Sequence, residues 1–427
     1  RGDTAFLTAL TPDDLNRQGG GRLWEQYVRP QLSLILDPMK GGDSLAQAYF
    51  RRMLRFVSTE HLLAKTGNKT KRASGFAAAW QNSVAEKLEA GNIYTGLRLT
   101  SPDSAHSGKV EDICLSFAPD EANDMANFRP GDAVILYSYP ERLEPDARRA
   151  IIFRCSITDI GADSIRLSLR FAQSGPAPFT ESAHMPWAIE HDFMDASFSG
   201  LYQGLHSLLT APESRRNLLL MRRAPRIDTD KSLSCSHGSF DSLALRVKQA
   251  EDIFLIIGPP GTGKTSFGLV STLREQLADG DSSVILLSFT NRAVDEICSK
   301  LVEEGIDFMR IGPTLSCAPE YRGYLLKEKT AECHNVGEVR RQIIGTRVFA
   351  ATVSSLNSAI NLLKLKTFDL AIIDEASQIL EPQLCGLLCA RSADGNPAIR
   401  KIVMIGDHKQ LPAVVQQTQA ESAVSEP

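Results

Sequence analysis

A glycine-rich stretch holds the residues of this sequence that are best suited to chemistry. It lies between an apolar run at 253–257 and a helical pattern that starts near Ser266, and it reads Gly258-Pro259-Pro260-Gly261-Thr262-Gly263-Lys264-Thr265. Glycines there let backbone N–H groups converge on a phosphate, and the following helix adds the positive end of its dipole. We expect Lys264 to reach the β- and γ-phosphates and the Thr265 hydroxyl to hold Mg²⁺. Together with Ser266, the stretch predicts a site for ATP and Mg²⁺.

A turn of glycine and proline without a ligand is the alternative interpretation of this stretch. The residues that follow argue against it, because Phe267, Val270, Leu273 and Leu277 recur at helical spacing and Gly280 stands where a C-terminal cap belongs. A buried strand, a glycine-rich turn and a helix follow one another in the order that a phosphate cradle requires.

Two acidic residues, Asp374 and Glu375, follow the apolar run 370–373. A carboxylate at a strand end facing the cradle holds Mg²⁺ directly or through water, which is the role we predict for Asp374. Glu375 is then placed to polarise the water that attacks the γ-phosphate. An N-terminal helix cap is the alternative role for this pair. The prediction requires Lys264 and Asp374 to meet across the tips of neighbouring strands.

A third polar segment follows the apolar run 402–405 and reads Gly406-Asp407-His408-Lys409-Gln410-Leu411-Pro412. Gln410 is uncharged, and we expect it to hydrogen-bond a γ-phosphate oxygen while its backbone moves with the strand. Its predicted role is to report whether triphosphate is bound. The predicted catalytic residues are therefore Glu375, Lys264 and Gln410.

Two further loops follow predicted strands and carry small hydroxyl and amide groups. One spans 288–292 and the other spans 352–355. Such groups suit contacts to a sugar-phosphate backbone without base preference, although each loop taken alone is typical of a helix cap. The predicted nucleic-acid contacts are Thr290, Asn291, Arg292, Thr352 and Ser354.

Short apolar strands alternate with helices from about residue 231 onward. Strands are predicted at 253–257, 283–287, 348–351, 370–373 and 402–405. This alternation is typical of α/β proteins with a doubly wound parallel sheet, whose ligands bind at the carboxyl ends of the strands. The nucleotide domain is therefore predicted to span 231–427.

The preceding residues divide into three predicted regions. Residues 1–107 form a helical linker or stalk, a remnant of an upstream domain, with helices at 45–63 and 77–88 around a basic loop at 65–72. That loop is either a solvated linker or a phosphate-contacting surface. Residues 108–175 read as short strands that close into a small β-barrel, which binds oligonucleotides or serves as a spacer. Residues 176–230 are predicted stalk helices, with helical patterning across 187–220.

Arginines are concentrated at the end of the predicted stalk. Arg215, Arg216, Arg222, Arg223 and Arg226 follow one another with no acidic residue between them. They are interpreted either as a solvated helix end or as a nucleic-acid contact.

The composition narrows the class of protein. The formal net charge of −4 across 427 residues gives no global attraction to nucleic acid, so such binding must come from local basic surface. We find no apolar window that could span a bilayer and expect a soluble intracellular protein, cytoplasmic in a bacterium or nuclear in a eukaryote. Eight cysteines without a CxxC pair predict buried thiols and no zinc or iron–sulfur site.

Five segments together resemble one family. The segments GPPGTGKT, SFTNRAVDE, ATVSS, DEAS and GDHKQLP resemble superfamily 1 helicases of the 5′-to-3′ group. That group includes the nonsense-mediated-decay RNA helicase and the replication nuclease-helicase that trims Okazaki flaps. The chain is more similar to the latter, since 49–67 and 75–97 are similar to the segment that joins its nuclease to its helicase half. The resemblance covers roughly 49–415.

The resemblance implies a RecA-like P-loop domain that drives ATP-dependent translocation on single-stranded nucleic acid. We favour DNA over RNA as the partner and expect a monomer. Thr290, Asn291 and Thr352 would touch the strand. The family's adenine-reading glutamine has no counterpart here, because Phe240 and Asp241 occupy that neighbourhood and Gln249 lies too close to the cradle. No second RecA-like half follows Val415, so we expect this piece of a longer protein to bind ATP, to hydrolyse it slowly and not to unwind. An RNA helicase of the decay type and a nucleic-acid-binding scaffold with an inactive cradle are the alternatives.

Overall fold

The computed structural model describes residues 9–16, 21–66, 82–104, 109–117, 126–192, 196–259, 261–407, 409–410 and 412–417. These fall into two compact units. One unit comprises His61–Asp195, and the other comprises Arg1–Glu60 together with Ala196–Pro427. Most of the predicted basic loop at 65–72 and the first part of the predicted helix at 77–88 lie outside the described residues.

A closed antiparallel barrel forms the core of the first unit, with strands in the order β1-β2-β5-β4-β3-β6. Closure leaves no exposed edge among these strands, which explains how so many short strands remain paired. Alternate residues of β2 and β5 fill the interior, so that Ile113, Leu115, Ile165 and Leu167 are buried. The strands are β1 (Ile93–Ser104), β2 (Val110–Ser116), β3 (Ala133–Ser138), β4 (Phe153–Ile160), β5 (Ser164–Gln173) and β6 (Trp187–His191).

The barrel extends beyond the predicted range of 108–175 at both ends. Strand β1 lies in the region predicted as a helical linker, and β6 lies where a stalk helix was expected. Strand β6 pairs with β1 on one side and with β3 on the other, so it closes the barrel. Its apolar run is too short to show a period, and its strand pairing is decided by distant residues.

A parallel sheet of six strands organises the second unit, in the order β7-β12-β11-β8-β10-β9. All five predicted strands are present, and an unpredicted strand, β9, follows β8 in the chain. The doubly wound arrangement is the RecA-like α/β fold that the resemblance implies. The strands are β7 (Ile253–Ile257), β8 (Val284–Ser288), β9 (Phe308–Ile311), β10 (Val348–Thr352), β11 (Phe368–Ile373) and β12 (Ile399–Gly406).

Helices cover both faces of this sheet, and each face has its own apolar cluster. Helix α8 ends at Leu277 with Ala278 as its C-cap, so Gly280 is not the cap that the sequence predicted. None of the helices among the described residues has the length and apolar character needed to span a membrane. The α-helices within the described ranges are α1 (Arg29–Lys40), α2 (Ser44–Thr66), α3 (Val84–Glu89), α4 (Ala177–Thr180), α5 (Ala196–Thr210), α6 (Glu213–Leu219), α7 (Asp241–Gln249), α8 (Val270–Leu277), α9 (Asn291–Glu303), α10 (Leu326–Lys329), α11 (Val336–Gly345), α12 (Val353–Ser358), α13 (Leu362–Leu365) and α14 (Glu381–Leu388).

The five clustered arginines all have partners within the second unit. Arg215 is buried and donates to the backbone oxygens of Ile399, at 2.5 Å, and Arg400, at 3.2 Å. Arg223 and Arg226 both pair with the buried carboxylate of Asp252, at the entrance to β7. Arg216 and Arg222 pair with Asp43. These contacts favour a structural role for the cluster over the nucleic-acid contact that the sequence left open.

Candidate functional site

The predicted site residues follow strands whose carboxyl ends share one edge of the sheet. Ile257 at the end of β7 lies opposite Gly406 at the end of β12. Ile373 at the end of β11 lies opposite Met404 of β12 and Leu287 of β8. The glycine-rich loop, the acidic pair and the Gln410 segment therefore leave the sheet side by side, at the edge where parallel sheets bind ligands.

The loop after β7 turns tightly at two glycines. Gly261 and Gly263 both have φ of +78°, a left-handed conformation that side chains disfavour. The Thr262 hydroxyl donates to the oxygen of Pro259 at 2.8 Å, and the Lys264 ammonium donates to the oxygen of Gly258. Lys264 thus lies folded against the loop. Pro260 lies outside the described residues, as do the side chains of Thr265 and Ser266.

The chain leaves the loop through one wide helical turn. Lys264–Leu269 is a π-helix, and the N–H of Gly268 donates to the oxygen of Gly263 at 3.1 Å. Helix α8 continues directly from this turn. Such wide turns within helices are frequent at functional sites. The helix therefore begins two residues before the predicted start.

Asp374 and Glu375 occupy the turn after β11. Asp374 is 3% exposed, and its N–H donates to the oxygen of Leu287 at 2.8 Å. The next residue, Glu375, has φ of +52°, a strained conformation for a residue with a side chain. It precedes the short turn at 376–378 without a side-chain cap, which disfavours the helix-cap alternative. Its carboxylate instead accepts a hydrogen bond from Gln378 at 3.2 Å.

The segment after β12 is held by an aspartate that the sequence analysis did not assign. Asp407 is buried, accepts from the N–H of Lys409 at 2.9 Å and its backbone oxygen accepts from the N–H of Gln410 at 3.1 Å. Like Asp374, it is an acidic residue that follows an apolar strand. That pattern could have identified it from the sequence. His408 and Leu411 lie outside the described residues.

Lys264 and Asp374 do not follow neighbouring strands, contrary to the sequence prediction. Strand β12 lies between β7 and β11 and pairs with both. At a strand spacing of about 4.8 Å, the ends of β7 and β11 are roughly 10 Å apart. The two residues share the carboxyl edge of the sheet, and the Gly406–Gln410 segment leaves between them.

The predicted nucleic-acid contacts follow two adjacent strands, since Ser288 of β8 pairs with Thr352 of β10. Thr290 caps α9 by accepting from the N–H of Ala293, and Thr352 caps α12 by accepting from that of Ser355. Thr352 is 5% exposed. Asn291 is half-buried, whereas Arg292 and Ser354 are exposed. Two helix N-termini therefore open onto this part of the edge, a geometry that favours phosphate groups.

A buried ion pair that the sequence analysis missed fixes one of these helices. Arg310 of β9 is 1% exposed, pairs with Asp295 of α9 and donates to the oxygen of Ser316 at 3.2 Å. Burial lowers the pKa of Arg310 from its ordinary value. The arginine inside the four-residue apolar strand is the reason that β9 was not recognised.

The segment before β7 is where the helicases that this chain resembles carry an adenine-reading glutamine. Here Asp241 and Gln249 make other contacts. Asp241 accepts hydrogen bonds from the N–H of His237 and the hydroxyl of Ser236, and so it orders the turn before α7. Gln249 donates to the backbone oxygens of Thr229, at 3.2 Å, and Lys231, at 3.3 Å. Both residues therefore hold backbone of their own segment.

Comparison with known proteins gives one domain family and several relatives. The AAA domain family matches residues 241–343 and 327–418. The chain is 32% identical to the DNA replication ATP-dependent helicase/nuclease JHS1 of Arabidopsis thaliana, over 94% of this chain and 30% of that protein. It is 33% identical to DNA2 of Saccharomyces cerevisiae over 48% of this chain and 13% of that protein. It is 35% identical to DNA2 of Xenopus laevis over 41% of this chain and 16% of that protein.

The chain thus spans about a third or less of the length of these relatives. The alignment with JHS1 runs through both units, whereas the AAA match lies wholly in the second unit. The five motifs, the parallel sheet that presents them at one edge and these matches agree that the chain is similar to the replication helicase/nucleases over part of their length, as its resemblance to superfamily 1 helicases predicted.

Proposed function

We propose that this chain forms the first motor domain and the barrel of an ATP-dependent DNA helicase that translocates on single-stranded DNA. The observation that carries the proposal is the common edge of the sheet, onto which the Lys264 loop, the Asp374–Glu375 turn and the Asp407–Gln410 segment all open. Those are the groups that would bind ATP and Mg²⁺ and position the attacking water on this wall of the site.

The loop at 258–266 is proposed to bind the phosphates of ATP. Its two left-handed glycines allow a tight turn whose backbone N–H groups would face the phosphates, and the helix that follows would offer its positive end. The Lys264 ammonium would exchange its contact with Gly258 for the β- and γ-phosphates. The lysine side chain would therefore have to leave Gly258 when ATP binds.

Asp374 and Thr265 are the proposed ligands of Mg²⁺. A carboxylate and a hydroxyl are the hard oxygen donors that this ion prefers, and Asp374 stands at a strand end on the correct edge. Bound Mg²⁺ would neutralise charge that develops on the phosphates. Asp374 would offer its carboxylate oxygen from a fixed position, because it is buried and its backbone is hydrogen-bonded to β8.

Glu375 is the proposed general base. It would accept a proton from the water that attacks the γ-phosphorus, while the bond to the bridging oxygen breaks and ADP leaves. Gln410 would contact a γ-phosphate oxygen and transmit its presence through Asp407 to β12. The hydrogen bond from the N–H of Gln410 to Asp407 supports that path.

Single-stranded DNA is the proposed track, contacted by Thr290, Asn291, Arg292, Thr352 and Ser354. The helix N-termini at 290 and 352 suit backbone phosphates. DNA is preferred to RNA because the relatives are named for DNA replication. On the same ground we place the protein in the nucleus if it is eukaryotic, and in the cytoplasm if it is bacterial.

Nucleotide binding by matched lysine variants tests the proposal. Binding of a fluorescent ATP analogue with Mg²⁺ should be lost in Lys264→Ala and retained in Lys300→Ala, since Lys300 is a surface residue paired with Glu303. Unchanged affinity in Lys264→Ala would overturn the motor and favour the scaffold. Competition between single-stranded DNA and RNA of equal length at one salt concentration should favour DNA. Preference for RNA would favour the decay-type helicase instead.

A further inference from the structure

Three potential metal ligands lie close together beside α8, the helix that follows the glycine-rich loop. The Cys235 Sγ lies 3.5 Å from the His237 Nε2 and 3.7 Å from the Glu275 Oε2. The His237 Nε2 and the Glu275 Oε2 are 2.9 Å apart. Glu275 belongs to α8, whereas the other two residues lie in the segment before α7. The cluster is thus formed by residues far apart in the chain.

These distances resemble the edges of a tetrahedral zinc site. Zinc binds sulfur at about 2.3 Å and nitrogen or oxygen at about 2.0–2.2 Å, so the edges between such ligands are about 3.3–3.6 Å. The observed separations bracket that range. A thiolate, an imidazole and a carboxylate select zinc over Mg²⁺, and the two anionic ligands balance the charge of a divalent ion.

The two oxygens of Glu275 have different partners. Oε1 accepts from the Lys248 ammonium at 2.6 Å and from the N–H of Ser234 at 2.6 Å. Oε2 faces Cys235 and His237. Outer hydrogen bonds of this kind orient a metal-binding carboxylate, and here they hold Oε2 towards the other two ligands.

His237 provides a second, independent observation. Its side chain is 1% exposed, and its Nδ1 is buried without a hydrogen-bond partner among the described residues. The ring nitrogen that faces the cluster is therefore Nε2, which contacts the Cys235 sulfur and the Glu275 carboxylate inside the protein. Cys235 is exposed, so an ion can reach the cluster from solvent.

We propose that Cys235, His237 and Glu275 bind one zinc ion, with the fourth position open to water. The proposal reverses the sequence-based expectation of buried thiols and no zinc site, since Cys235 is exposed and Glu275, from a distant helix, completes the set of ligands. The ion would link the segment at 234–238 to α8. A Cβ at Gly268, in the π-helical turn that leads into α8, would meet Leu243 of α7 at 3.7 Å. The metal link would therefore restrain α7 and α8, which pack beside the proposed nucleotide site.

Cobalt titration of the metal-stripped, reduced full chain tests the proposal. Wild-type protein should bind one equivalent and show the thiolate-to-cobalt charge-transfer band, which reports a cobalt–sulfur bond and which zinc then abolishes. Cys235→Ser should lose the band. Cys333→Ser is the matched control, since Cys333 also neighbours a histidine in the chain, and it should keep the band. Lys264→Ala should also keep it, which separates this site from the proposed ATP site.

Two results would overturn the zinc site. One is the absence of the band in the wild type, which would leave Glu275 with its hydrogen-bond and ion-pair partners alone. The other is an unchanged band in Cys235→Ser, which would assign the ion to another cysteine. Should Cys235→Ser fail to fold, as judged by its melting temperature in the absence of metal, His237→Asn provides the same test with the same expected loss of one-equivalent binding.

Discussion

Gly406 and Ser377 lie in direct contact: a Cβ at Gly406 would come within 3.1 Å of the Ser377 backbone nitrogen and 3.4 Å of its hydroxyl. Gly406 ends β12, and Ser377 belongs to the turn that follows Glu375. A movement of the Gln410 segment would therefore press on the backbone of the Glu375 turn. This contact would link the roles proposed above for Gln410 and Glu375.

Substituting Gly406→Ala should disturb that link more than it disturbs folding. The added methyl group pushes the 376–377 backbone by a few tenths of an ångström, so we expect slower ATP hydrolysis with nucleotide affinity retained and a stability loss of about 1 kcal/mol. ATPase assays beside urea unfolding measure both. Gly280→Ala, which meets nothing within 4 Å, is the control. Equal effects of the two substitutions would contradict the link.

Glu375 should show a conflict between stability and activity. Because its φ of +52° costs about 1 kcal/mol or more, Glu375→Gly should raise the free energy of unfolding by about 1 kcal/mol while it abolishes hydrolysis. Glu375→Gln should keep nucleotide binding and slow hydrolysis by at least about a hundredfold. Met221, with φ of +56° and 90% exposure, is the matched site. Met221→Gly should stabilise the protein without loss of activity, and a Glu375→Gly variant that remains active would remove the general-base role.

The Arg310–Asp295 pair should stabilise the sheet and hold α9. Asp295→Ala leaves a buried guanidinium without its carboxylate, so we expect a loss of about 3 kcal/mol of stability. Glu296→Ala removes the next carboxylate along, which is exposed and paired with Arg292, and should change stability by less than about 0.5 kcal/mol. Chemical denaturation of both variants makes the comparison, and similar midpoints would show that the buried pair adds little.

Asp252 should make stability depend on acidic pH. Burial opposes its ionisation, but hydrogen bonds from Arg223 and Arg226 outweigh burial and hold its pKa well below the ordinary value of 3.8. A carboxyl whose folded pKa is lowered contributes stability above its unfolded pKa and loses it as pH falls through the folded pKa. Asp252→Asn should therefore be destabilised by about 3 kcal/mol at neutral pH, with a gap to wild type that narrows below about pH 4.

Thermal unfolding from pH 3 to 7 measures that gap. Asp281→Asn, in an exposed turn, should follow the wild type throughout. A gap between Asp252→Asn and wild type that stays constant with pH would contradict the ionised pairing.

Local patterns in the sequence determined the chemistry of the candidate site. The alternation of apolar runs with polar segments located the five predicted strands. The residues after each strand then showed which chemical group lies there, as with Lys264 after β7 and Asp374 after β11. Such features depend on neighbours within a few residues, so periodicity and turn chemistry are sufficient to predict them.

Only the tertiary structure decided how distant segments pair. It inserted β12 between β7 and β11, closed the barrel with β6, gave the stalk arginines acidic or backbone partners and brought Glu275 to Cys235 and His237. Strand order and side-chain convergence depend on contacts between residues far apart in the chain, which leave no periodic mark on either segment. The sequence determined which groups are available for chemistry, and the packing of the sheet decided which of them meet.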